Sequence, residues 1–222
     1  MNDDEPTASR SGGGGDGARA HTPRSWLFVP GAAERYVAKL RDVGPDAAIL
    51  DLEDGISARD VEASRARVAS VLGAEPGDSG RGAASLPPVV AVRSHPVSST
   101  EFESDCAALG PRLDVLMLPK VAEAAEVLEA AARLEAAGLA HVRLVVMIES
   151  ARGLENLASV LSAHESVVGV AFGAEDFAAD IGLPPQVTGR GEGQGARGAP
   201  RVAGEGGRLA VLDAVRTRLV TT

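Results

Sequence analysis

The chain has 222 residues, of which 22 are Lys or Arg and 31 are Asp or Glu, for a net charge of −9. That acidic balance excludes a sequence-independent nucleic-acid binder, which needs a Lys/Arg excess for its phosphate contacts, and the single cysteine, Cys106, excludes an internal disulfide framework or a cysteine-based zinc cluster. At 45% apolar and 24% charged residues the composition is that of a folded globular chain, and no apolar run reaches the roughly 18 residues of a membrane span.

The start, Met1-Asn2-Asp3-Asp4-Glu5, is acidic where a signal peptide is basic and then apolar, so a cytoplasmic location is expected. Residues 1–22, including Gly12-Gly13-Gly14-Gly15, carry no apolar periodicity and read as a disordered tail. Residues 23–222 are left as one folded unit. From Trp26 onward, short apolar β-branched runs alternate with helical patterns. The runs cover 26–30, 47–53, 89–93, 115–120, 143–149 and 167–173. Most are continuously apolar, as suits strands of a parallel sheet buried on both faces.

Between them lie helical signals. Ser57 followed by Asp60 resembles an acidic capping box, with Val61, Val68, Val71 and Leu72 on the face behind it. Phe102, Cys106 and Leu109 share one helical face, which makes Cys106 a core residue. A helix near 122–137 carries Val127, Leu128, Ala131 and Leu134 and stops at Gly138, a natural residue for the position after a helix end. Leu154, Leu157, Ala158 and Leu161 form another stripe, and Leu209, Leu212, Val215 and Leu219 a last one. Six strand–helix units follow one another at a spacing of roughly 25 residues, the rhythm of a βα-repeated α/β fold. Residues 74–88 read as a long surface loop. Residues 184–207 form a Gly/Arg-rich loop whose match to G-x-G-x-x-G at 193–198 is accidental, because no strand precedes it and no helix opens on it.

In a parallel barrel, chemistry gathers where the strands end. Here the ends carry Asp51-Leu52-Glu53-Asp54, Arg93, Pro119-Lys120, Glu149 and Glu175-Asp176, more charge than a solvated loop needs. Each has a plain structural alternative. Asp176 can cap a helix starting near Phe177, Asp54 can be a first-turn acid, and Arg93 can be a counter-ion to the acids rather than an anchor for a substrate carboxylate. Two carboxylates at neighbouring strand ends repel unless a cation lies between them, and two carboxylates with waters and substrate oxygens are how Mg²⁺ is commonly held. His95, just past Arg93, reads as a loop residue without a metal-spaced partner.

These strand ends resemble a known family. Arg24-Ser25-Trp26-Leu27-Phe28-Val29-Pro30-Gly31 is similar to the RS-x-LFVPG opening of the citrate lyase β-subunit-like proteins in the HpcH/HpaI aldolase superfamily. Ile49-Leu50-Asp51-Leu52-Glu53-Asp54 resembles their ILDLED, Leu118-Pro119-Lys120-Val121 their LPKV, and Ile148-Glu149-Ser150 followed by Gly153 their IE(T/S)xxG. Residues 172–182 are similar to FGAEDxAADxG. The resemblance implies a TIM barrel that makes or breaks carbon–carbon bonds beside a carbonyl, in many members on acyl-CoA thioesters. It implies Glu149 and Asp176 as Mg²⁺ ligands, Arg93 as the grip on the substrate carboxylate, Arg24 near the same mouth, and Glu53 and Asp54 along its wall. Val92-Arg93-Ser94-His95 departs from the family's VRVN by placing His95 where asparagine stands.

A full (β/α)₈ barrel takes about 250 residues, so the expected fold is a barrel of about six βα units lacking the last two. In acyl-CoA-cleaving relatives that C-terminal part supplies a catalytic acid. The expected function is a Mg²⁺-dependent carbon–carbon lyase acting through an enolate on a carboxylate-bearing hydroxyacyl substrate, a CoA thioester or oxo acid. The alternative is a non-catalytic remnant that binds a metal, a ligand or a partner chain. An open sheet exposes two edges, so a homo-oligomer is expected, with neither nucleic acid nor membrane as a partner.

Overall fold

The computed structural model describes residues 23–73, 86–183 and 205–221. The tail expected at 1–22, most of the loop expected at 74–88, and residues 184–204 of the Gly/Arg-rich loop lie outside them. Six strands form one parallel sheet in sequence order: β1 (Trp26–Pro30), β2 (Ala47–Asp51), β3 (Val89–Arg93), β4 (Val115–Leu118), β5 (Arg143–Ile148) and β6 (Val167–Phe172). Among the described residues β1 and β6 do not pair with each other, so the sheet is an open part of a barrel. Every strand starts where its apolar run starts. Four stop one or two residues early, three of them before the charged residue that ends the run (Glu53, Lys120 or Glu149) and β6 before Gly173.

The connections are helical: α1 (Glu34–Val37) and α2 (Leu40–Val43) after β1, α3 (Val61–Gly73) after β2, α4 (Glu101–Ala107) after β3 and α5 (Ala124–Ala136) after β4. The stripe at 154–161 is two short helices, α6 (Ala151–Glu155) and α7 (Leu157–Leu161), rather than one. They divide at Asn156, whose side-chain amide donates to the carbonyl of Ala122 and the carboxylate of Glu123. After β6 come α8 (Ala174–Asp180) and α9 (Glu205–Thr221), so the last three positions of the expected 184–207 loop are helical. The Ser57–Asp60 pair does not cap: the Ser57 hydroxyl donates to Asp60 at 2.5 Å across a 3-10 turn, and α3 begins only at Val61. The end of α5 matches the expectation, with Gly138 at φ +73. No described helix is long and apolar enough to cross a membrane.

Strand periodicity sorts the core into two layers. Ala48, Leu50, Val90, Val92, Leu116, Leu144 and Val146 face the helices and are buried with Val68, Phe102, Val127 and Leu134. Their neighbours Ile49, Ala91, Val115, Met117, Val145 and Met147 pack on the concave face. Cys106 lies half-buried beside the helix layer, where burial pushes its thiol up to about 11, as fits a core residue. On the concave face Trp26 and Phe28 of β1 and Val168 of β6 stay exposed and line a groove of about 780 Å³. Beyond β6, Phe177 and Ala178 of α8 bury with Leu212 and Val215 of α9.

Candidate active site

The same alternation builds the site. Residues 47, 49 and 51 of β2, 89, 91 and 93 of β3, and 145 and 147 of β5 point to one side of the sheet, so Asp51, Arg93 and, just after β5, Glu149 continue the concave set past its last apolar member. Because all strands are parallel, these residues emerge at one rim. Asp51 and Arg93 are direct partners in the β2–β3 register. There a cleft of about 490 Å³ is lined by Phe28, Asp54, Arg93, Glu149 and Asp176, among others.

Arg93 is buried and its guanidinium is engaged. Nε and Nη2 donate to the two carboxylate oxygens of Asp51 at 2.8 Å each, and Nη1 lies 3.1 Å from both Glu53 and Asp54. Its plane also covers the ring of Phe28 at 5.0 Å. Burial works against its charge, but the surrounding carboxylates, Asp51 first and then Glu53 and Asp54, together outweigh burial and raise its pKa. Asp51 is itself saturated, since it also accepts from the amides of Glu53 and Gly55 at 3.1 and 3.0 Å.

Glu149 contrasts with Asp51. It is 5% exposed and accepts one hydrogen bond among the described residues, from the Lys120 amide at 2.8 Å. Burial raises its pKa, opposed by that amide and reinforced by the charges of Glu53 and Asp176. Gly173 lies against it: a Cβ there would run into the Glu149 carboxylate itself, so only glycine lets the two strand ends approach this closely. Asp176 is the third residue of α8, whose N-cap is Gly173, so Asp176 is not the cap of a helix near Phe177. It lies on the cleft wall with its carboxylate 3.7 Å from the Lys120 ammonium.

Lys120 was legible only as part of the strand-end LPKV, with no role attached. In the structure its ammonium is 2.8 Å from Glu53, and its backbone adopts φ +54, a left-handed conformation unusual for a residue with a side chain. The Glu53 hydrogen bond raises the Lys120 pKa, while burial raises that of Glu53 itself.

Of the residues expected here, Glu149, Asp176, Arg93 and Asp54 line the cleft, and Glu53 sits behind it between Arg93 and Lys120. Arg24 does not belong to the mouth. It precedes β1, so it lies at the opposite, N-terminal end of a parallel sheet, where its amide donates to Asp46 just before β2. His95 is not a free loop residue: its amide and Nδ1 both meet the Asp105 carboxylate, at 2.7 and 2.8 Å. Asp105 also binds Arg65 Nε at 2.8 Å. Among the described residues no three His, Cys, Asp or Glu side chains form a metal-holding group. A cation in this cleft would therefore have two carboxylates, Glu149 and Asp176, and take its remaining ligands from water or substrate.

The family model described as HpcH/HpaI aldolase/citrate lyase matches residues 24–219. A (3S)-malyl-CoA thioesterase from Cereibacter sphaeroides is 32% identical over 164 residues, 73% of this chain and 53% of that protein. An L-malyl-CoA/beta-methylmalyl-CoA lyase from the same species is 30% identical over 181 residues, 78% of this chain and 54% of that one. This chain thus spans about half the length of the curated relatives it matches. The citrate lyase beta subunit of M. tuberculosis, solved with oxaloacetate and magnesium, superposes with a TM-score of 0.59 at 28% identity, covering 87% of this chain and 70% of that one.

Proposed function

The chain belongs to the HpcH/HpaI aldolase/citrate lyase family, and from that premise we propose that its rim cleft holds Mg²⁺ between Glu149 and Asp176 and cleaves a carbon–carbon bond in a carboxylate-bearing hydroxyacyl-CoA substrate. The observation that carries this reading is Glu149: a nearly fully buried carboxylate with one donor, facing the cleft beside a second carboxylate, with a glycine where any side chain would cover it. A donor set of two carboxylates with open positions for waters and substrate oxygens fits a small hard cation that keeps much of its hydration shell. The magnesium in the M. tuberculosis relative supports the same choice. When bound, the ion supplies Lewis-acid polarisation of the substrate carbonyl and stabilises the enolate that forms as the bond breaks.

The side chains of this site set the terms of binding. Arg93 is the cation that a substrate carboxylate would meet, but Asp51 holds it in a bidentate pair. An incoming carboxylate reaches Nη1 by displacing Asp54, whose side chain is 58% exposed and free to move. Asp51 thereby fixes the guanidinium plane, and Glu53, paired with both Arg93 and Lys120, offsets the repulsion between the two cations.

A second reading has its own support, since a thioesterase and a lyase match at nearly the same identity. The alternative is hydrolysis of the thioester bond. The two chemistries separate in one assay on malyl-CoA with and without Mg²⁺: a lyase yields acetyl-CoA and glyoxylate, a thioesterase yields malate and free CoA. Magnesium-dependent release of acetyl-CoA is the expected result, and free CoA without glyoxylate would replace the lyase reading with the hydrolytic one. A folded sample that turns over neither way and binds no Mn²⁺ would overturn both.

A further inference from the structure

Among the described residues the rim gathers six carboxylates, Asp51, Glu53, Asp54, Glu149, Glu175 and Asp176, and two cations, Arg93 and Lys120, lie in ion pairs with them. Arg93 is committed to Asp51, Glu53 and Asp54 and is absent from the ion pairs of Asp176. The cation that serves the Glu149–Asp176 pair is Lys120. Its ammonium lies 2.8 Å from Glu53 and 3.7 Å from Asp176, while its own amide donates to Glu149. One residue reaches all three from a left-handed backbone at φ +54. A non-glycine residue held in that region costs of order 1 kcal/mol and persists where its surroundings over-determine it.

We propose that Lys120 is the resident counter-cation and positioning residue of this centre: its amide fixes the Glu149 carboxylate, and its ammonium competes with a divalent cation for Asp176. The proposal rests on the reading of Glu149 and Asp176 as the cation ligands. Cation binding is then an exchange. The ammonium leaves Asp176 for Glu53 alone or for solvent, which its 44% exposed side chain permits. The carboxylates are thus held together at the rim whether or not a metal is present, and Mg²⁺ affinity is lower than the two carboxylates alone would give. A dissociable cation is the expected result.

The test is a titration of the full chain with Mn²⁺ by calorimetry, on wild type, Lys120→Asn, Lys120→Gly, Lys120→Arg and Glu149→Gln. Asn and Gly both accept a left-handed backbone, so the amide that fixes Glu149 is retained while the ammonium is lost. Removing a positive charge a few ångströms from a divalent ion should tighten Mn²⁺ binding about fivefold in both variants, after screening by solvent and salt. Lys120→Arg should stay within about twofold of wild type, because the charge is kept. Without Mn²⁺, Lys120→Asn should melt below wild type, and saturating Mn²⁺ should raise its melting temperature more than it raises that of wild type.

Equal or weaker Mn²⁺ affinity in Lys120→Asn and Lys120→Gly, with wild type binding and Glu149→Gln impaired, overturns the role of Lys120 and leaves the metal reading standing. Equal Mn²⁺ affinity in wild type and Glu149→Gln removes the metal centre and this proposal with it. A purely structural Lys120 would lower the melting temperature without tightening the metal.

Discussion

Asp105 on α4 and Glu149 just after β5 are both buried carboxylates, and their surroundings are opposite. Asp105 has no exposed surface and meets Arg65 Nε, the His95 amide and His95 Nδ1, all within 2.8 Å. Arg65 in turn is gripped by Glu101 and Glu62. Glu149, about as buried, has one donor and faces a cleft. Burial of an acid is therefore not a mark of function in this chain. The informative quantity is how much of the carboxylate's hydrogen-bonding capacity the fold leaves unused. A saturated acid ties α3 and α4 to the loop after β3, whereas an unsaturated one is available to a ligand.

Substitutions can break or sharpen this contrast. The largest effect is expected at the saturated acid: Asp105→Ala strands Arg65 and His95 and should lower unfolding stability by about 3 kcal/mol, read from the urea midpoint. A loss below about 1 kcal/mol would mean that Asp105 is not the tie it looks to be. At the unsaturated acid the expected effect moves from stability to ligand affinity. Glu149→Gln and Asp176→Asn should each weaken Mn²⁺ binding at least tenfold, about 1.4 kcal/mol, with cooperative unfolding kept. Gly173→Ala should do the same without touching a carboxylate, because its Cβ displaces Glu149. Unaltered Mn²⁺ affinity in Gly173→Ala would show that the close approach of the two strand ends is dispensable.

A smaller, pH-dependent effect follows from the burial of Glu149. Its folded pKa lies above the ordinary value of 4.5, so the folded state takes up a proton more readily than the unfolded state does. The stabilising contribution is complete below the unfolded pKa and is lost as pH rises through the folded one. At neutral pH the wild-type protein therefore carries a cost that Glu149→Gln lacks. Without metal, the variant should melt higher than wild type by about 2 °C at pH 7, and the gap should close as the pH approaches 4. A gap independent of pH would assign the change to packing instead of charge. The smallest effect belongs to Arg24, at the far end of the sheet: Arg24→Ala should leave Mn²⁺ affinity unchanged and stability within about 0.5 kcal/mol.

The strands and the rim were legible because both rest on simple periodicities. Continuous apolar runs marked β2 to β5 at their true starts, and parallel order then placed every run's polar end on one side. Arg24 was placed at the mouth by the family resemblance and not by these periodicities. It belongs to the same sequence motif as Pro30, but a strand of five residues separates the two, and the residue before a parallel strand lies at the wrong end for the mouth. The saturation of Arg93 depends on register, since Asp51 and Arg93 are opposite each other only once β2 and β3 are aligned. The role of Lys120 depends on a positive φ, which no side-chain pattern encodes. His95 and Asp105 are ten residues apart across a loop, a pairing that no helical or strand period would suggest. What escaped the sequence was partnership between side chains, together with the short helices α1 and α2, the division between α6 and α7, and the first turn of α9.

The exposed concave face also has a spectroscopic consequence. Trp26 is the chain's only tryptophan, and it sits on β1 at 36% exposure in the wall of the groove, away from the rim. Its emission therefore has a single origin. Any protein surface that comes to cover this face would move the indole from a half-hydrated to an apolar setting and shift its fluorescence to the blue. The chain thus carries its own optical gauge of whether the sheet's inner face is wet or covered, readable in dilute solution without a label.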